Sequence, residues 1–121
     1  MLEKMIAAKP GFYLTNQNDQ FKCAFITAGP QYSFEVTELK RHNGSDEVYV
    51  LLEGQAVLLT KEEEFAAHPF EKGCAYRLAA GTWHALSVTE DAKLFVCENS
   101  EVSAENTDTW VLDATYIVKK P

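Results

Sequence analysis

Four residues stand at spacings that suit a polar site: Lys40 and His42, two apart, then Glu47, and His84 in a separate segment of the chain. Positions i and i+2 of a strand project from one face, so Lys40 and His42 point together if Ser33 to His42 is extended. A turn over Asn43-Gly44-Ser45-Asp46 starts a new strand at Glu47, which returns its carboxylate toward them. His84 follows the Gly81 turn. Two imidazoles and a carboxylate on rigid elements make a ligand set suited to one divalent ion of Fe, Mn, Ni or Zn. The same histidine–carboxylate pairs also suit acid–base chemistry without metal. Lys40 opposes the ion: a charge of +1 about 4 Å from a +2 ion costs about 8 kcal/mol at an effective dielectric of about 20. Metal binding therefore requires Lys40 to bend away or to be neutral. Otherwise Lys40 pairs with Glu38 or Glu47 and the pocket is metal-free, with the lysine as an anion anchor.

These residues need strands to hold them, and the pattern supplies little else. From Ser33 to His42 one face carries Phe34, Val36, Glu38, Lys40 and His42, and the other Glu35, Thr37, Leu39 and Arg41. Glu47 to Leu52 and Gln55 to Thr60 flank Gly54 and read as a hairpin. Further strands are expected at Phe21–Thr27, Phe65–His68, Cys74–Leu78, Thr82–Val88 and Ala92–Glu98. Short strands at this spacing indicate a sandwich or barrel rather than βαβ units. Helix is expected only as short pieces near the termini. The first 30 residues are otherwise irregular, and the tail from Ser103 to Pro121 fits either a strand or a short helix.

The stretch from Lys40 to His84 resembles the two motifs of the cupin superfamily. Lys40-Arg41-His42, Glu47 and Gly54 match the first; Gly73, Gly81 and His84 match the second. The departure is Lys40, which stands where the family usually has its first histidine. The resemblance implies an all-β double-stranded β-helix, or jelly-roll barrel, over residues 1–121 as one cupin domain. It also implies a small-molecule pocket and a homodimer. Family members include isomerases, lyases, decarboxylases and oxygenases, so a metal-dependent enzyme and a non-catalytic binding or regulatory protein both remain open.

Glu38, Lys40, His42, Glu47, Tyr49 and His84 are the expected pocket residues. The first catalytic candidates are His42, Glu47, His84 and Lys40. Tyr49 shares the face of Glu47, where its hydroxyl can reach a ligand, and Leu51 on that face belongs to the core. Only one of Tyr76 and Arg77 can point inward; Arg77 is expected outside, Trp83 on the face opposite His84, and His68 exposed.

With 18 acidic and 11 basic residues among 121, the formal charge is −7, which disfavours nucleic acid and anionic membranes as partners. Apolar residues at 46% and charged residues at 24% describe an ordinary globular chain. No apolar run approaches the roughly 20 residues of a membrane helix, and the N-terminus lacks the features of a secretory signal. A cytoplasmic location is the expectation. Cys23, Cys74 and Cys97 are expected to be reduced, buried thiols.

Overall fold

The computed structural model describes residues 1–121. Ten strands follow in order: β1 (Phe12–Gln17), β2 (Phe21–Thr27), β3 (Glu35–His42), β4 (Glu47–Glu53), β5 (Ala56–Lys61), β6 (Phe65–Pro69), β7 (Ala75–Leu78), β8 (Trp83–Val88), β9 (Lys93–Asn99) and β10 (Thr107–Ile117). They form two five-stranded antiparallel sheets, ordered β1-β2-β9-β4-β7 and β10-β3-β8-β5-β6. This is the expected jelly roll. Helix is limited to two three-residue 3-10 turns, Pro30–Tyr32 and Ala104–Asn106.

Alternation along each strand builds the interior. Ala24, Ile26, Tyr49, Leu51, Leu58, Leu86, Leu94 and Val96 belong to one buried cluster. A second cluster, including Leu39, Val57 and Leu59, takes the alternate positions of the second sheet, and Phe65, Trp83, Leu112 and Tyr116 pack against it. Trp83 thus lies on the face opposite His84, as expected.

One expected contact is absent. Glu47–Leu52 and Gln55–Thr60 do not form a hairpin: β4 pairs with β7 and β9, whereas β5 pairs with β6 and β8. Gly54 is instead the corner where the chain leaves one sheet for the other. Its φ of +70° suits glycine, and a Cβ there would lie 2.6 Å from the Cα of Ala92. The β4–β5 corner and the β8–β9 corner touch at backbone distance, so the glycine marks close approach rather than a tight hairpin.

The irregular start contains β1, which pairs with β2 around a turn in which Asn18 Oδ1 accepts from the backbone N–H groups of Gln20 and Phe21. The tail is a strand, not a helix, and its pairing with β3 sets Thr107 opposite His42 and Thr109 opposite Lys40. The cysteines differ from expectation too. Cys23 and Cys97 are half-buried, and Cys74 is exposed. The first two take the register positions alternate to the buried Ala24 and Val96, and Cys74 sits in the turn before β7.

Candidate metal centre

β3, β4 and β8 bring His42, Glu47 and His84 together at the wall of one cavity of about 720 Å³. One ligand atom from each lies within 4.8 Å of the others. His42 Nε2 is 3.1 Å from Glu47 Oε1, and His84 Nε2 is 3.7 Å from the same oxygen. Glu47 and His84 are buried, and His42 is half-buried.

Hydrogen bonds on the far side of each ring fix the tautomers. Thr107 Oγ1 donates to the carbonyl of Ser103 at 2.6 Å, so toward His42 Nδ1, at 2.8 Å, it accepts. The His42 proton therefore sits on Nδ1. His84 Nδ1 faces the carbonyl of Thr82 at 2.9 Å, and a carbonyl only accepts, so its proton is on Nδ1 as well. Nε2 of each ring is then the nitrogen nearest Glu47. Burial, followed by the neighbouring His84, pushes the His42 pKa below its ordinary 6.5, which favours the neutral form of that ring.

The carboxylate is held in the same manner. Tyr49 Oη donates to Glu47 Oε2 at 2.6 Å, leaving Oε1 buried with no hydrogen-bond partner. Burial first, and then the charge of Glu47, raises the Tyr49 pKa well above 10, so the phenol keeps the proton it donates. Two imidazole Nε2 atoms and an unpartnered carboxylate oxygen thus converge at one point of the cavity wall. An orphaned buried acceptor is costly without a cation or proton to share, and the donor set fits a divalent ion. The outer partners Thr107, Thr82 and Tyr49 orient the rings and the carboxylate as outer-shell groups do at metal sites.

The other expected pocket residues also line the cavity, but at different depths. Lys40 lies directly opposite His84 across β3 and β8, yet its ammonium turns toward β10. Nζ donates to Thr109 Oγ1 at 2.8 Å and lies 3.6 Å from Glu38 Oε1, with nearly half of the side chain exposed. Of the two pairings open to it, the structure has the one with Glu38. The ammonium bends away from the three ligand atoms, the arrangement that metal binding requires.

Arg77 is outside, where it bonds Asp46 at 3.1 Å, and Tyr76 turns inward to stack on Phe70. His68 is exposed and bonds Thr60. Leu51 is core.

Sequence reasoning missed Lys22, Glu98, Tyr32 and Thr107, all on the same cavity. Glu98 is opposite Glu47 across β4 and β9, and Lys22 Nζ lies 3.5 Å from its Oε1. Burial and then the negative charge of Glu47 raise the Glu98 pKa. Burial and the same carboxylate push the Tyr32 phenol up to about 12. Alternation held the signal for two of them: Glu98 continues the inward series Leu94, Val96, and Lys22 precedes the inward Ala24 and Ile26.

No protein-family model matches the sequence, and neither does any curated protein sequence. Solved structures do match. A point mutant of oxalate decarboxylase OxdC from Bacillus subtilis aligns with TM-score 0.59 at 16% identity, over 74% of this chain and 24% of that one. The chain thus spans only a minor part of that protein. A cupin-2 domain protein from Shewanella frigidimarina aligns with TM-score 0.51 at 20% identity, over 74% of this chain and 79% of that one. A point mutant of Streptomyces PAC13 with uridine aligns with TM-score 0.64 at 10% identity, over 99% of each chain. The chain has the cupin fold.

Proposed function

We propose that this cupin binds one divalent ion through His42 Nε2, Glu47 Oε1 and His84 Nε2, and acts as a metal-dependent enzyme on a small polar or anionic metabolite such as a sugar or organic acid. The carrying observation is the buried Glu47 Oε1, which has no hydrogen-bond partner and lies 3.1 Å and 3.7 Å from the Nε2 atoms of His42 and His84. A bound ion of this kind supplies a positive charge that polarises a coordinated oxygen. The chain's own groups do the rest: Tyr49 orients the carboxylate, Thr107 and Thr82 fix the rings, and Lys22, Tyr32 and Glu98 present polar groups to the cavity. A neighbour of the same fold that aligns over 99% of each chain holds uridine, which supports a polar small molecule as the occupant.

The metal-free reading, with Lys40 anchoring an anion, has less support. The ammonium is already held by Thr109 and Glu38 toward β10, and that reading leaves Glu47 Oε1 without a partner. A cytoplasmic homodimer completes the proposal. The sheets end in unpaired strands at β1 and β10, which carry exposed Leu14, Val111 and Ile117. No helix is long and apolar enough to cross a membrane.

The test is calorimetric titration of chelator-stripped protein with Mn, Ni, Zn and Fe(II) ions. Binding of one ion per chain that is lost in Glu47→Ala supports the proposal. Wild-type protein that takes up none of the four at neutral pH refutes it.

A further inference from the structure

Cys23 and Cys97 are directly opposite each other across β2 and β9, with sulfur atoms 3.0 Å apart. The two thiols are half-buried, so a small reagent can reach them, and 74 positions of sequence separate them. Their neighbours along the strands, Ala24 and Val96, are buried in the core between the sheets. The cysteines therefore point to the other face, away from the candidate metal centre. Phe25 and Phe95, the next such pair, meet edge to face at 5.2 Å and fix the register of the two strands. Directly opposed antiparallel residues have Cα atoms about 4.5–5.5 Å apart, inside the range a disulfide spans. Bond formation needs only a side-chain adjustment of about 1 Å, with no strand slip.

We propose that Cys23 and Cys97 form a reversible cross-strand disulfide, a redox modification site whose oxidant is a small-molecule disulfide of the glutathione type. The chemistry is a two-step exchange. The Cys23 thiolate attacks one sulfur of the oxidant, forms a mixed disulfide and expels one thiolate. Cys97 then loses its proton and attacks the Cys23 sulfur, closing the intramolecular bond and expelling the second thiol. Two protein thiols are oxidised and one small disulfide is reduced to two thiols, so electrons and protons balance. Burial and the adjacent Cys23 sulfur push the Cys97 thiol up to about 12, and the opposite order of attack would give the same disulfide. Cys74 is exposed in a turn, with only Glu71 within hydrogen-bond range of its sulfur, and takes no part.

The full chain is equilibrated with mixtures of reduced and oxidised glutathione, alkylated, and analysed by intact mass and peptide mapping. The expected result is a species two hydrogens lighter, with Cys23 and Cys97 peptides joined and Cys74 still open to alkylation or mixed-disulfide formation. Dithiothreitol should reverse it. Cys74→Ser should keep the link, whereas Cys97→Ser should stop at a glutathione adduct on Cys23. Closing so long a loop should raise the melting temperature by about 5 °C or more. The absence of a Cys23–Cys97 link at every glutathione ratio, or a link that lowers the melting temperature, overturns the proposal. Neither result bears on the metal reading, which involves different residues on β3, β4 and β8.

Discussion

Tyr49 and Glu47 lie two apart on β4, and the phenol of one donates to the carboxylate of the other at 2.6 Å inside the fold. The bond occupies Oε2 and leaves Oε1 directed at His42 and His84. Tyr49 is therefore a positioning residue for the proposed ligand. Tyr49→Phe should weaken divalent-ion affinity by about 10- to 100-fold, the usual effect of losing an outer-shell partner. Calorimetry is the measurement, and the stoichiometry should stay at one ion per chain. An unchanged affinity would mean that the tyrosine only fills space.

Glu47→Gln separates the needs of the ion from the needs of the fold. A carboxamide can accept from Tyr49 through its oxygen and donate through its nitrogen to the Nε2 lone pairs, which the carboxylate cannot do. Ion binding should be lost, while the metal-free variant should be more stable than metal-free wild type by about 1–3 kcal/mol. Thermal unfolding in chelator reads the second effect. A variant less stable than wild type would show that Glu47 already has a proton or a cation as partner in the metal-free protein.

His42 sets a pH dependence. Its pKa is lowered from 6.5 by burial and by His84, so between that value and the lower folded value the unfolded chain binds more protons than the folded one. Stability of the metal-free protein should therefore fall as pH drops through this window, and be fully present above it. Ion affinity should fall over the same range, because protons compete for the lone pair. Melting curves from pH 8 to pH 5, compared with His42→Gln, are the check: the variant should show the shallower decline.

The architecture was legible because alternation and turn residues are local. Strands β3 to β9 lie close to the segments that period and glycine placement mark. Which sheet each strand joins was not legible. Gly54 looks the same in a hairpin and at a sheet-to-sheet corner, and only the approach of Ala92, 38 positions later, distinguishes them. The grouping of His42, Glu47 and His84 was legible through the resemblance to the two cupin motifs, and their cavity neighbour Glu98 was present in the inward series of β9. Thr107 was not, because its role depends on β10 pairing with β3 across more than sixty residues of sequence. The direction of Lys40 depends on the same pairing, since Thr109 is what its ammonium reaches.

That placement makes position 40 the most informative one to change. Lys40 faces His84 on one side and Thr109 on the other, so its Cβ is on the cavity face although its ammonium has turned outward. An imidazole at this position is too short to follow the lysine to Thr109 and starts from the row that already holds His84. Lys40→His should then add a fourth ligand and remove a positive charge, and both changes favour the ion. Affinity for a divalent ion should rise at least tenfold, which corresponds to about 1.4 kcal/mol. Lys40→Ala removes the charge without adding a ligand, and should give a smaller gain than Lys40→His. Equal gains in the two variants would assign the whole effect to repulsion. No gain in either would mean that residue 40 does not share a centre with His42, Glu47 and His84. Calorimetric titrations of the three proteins with the same ion, at one pH and ionic strength, separate these outcomes.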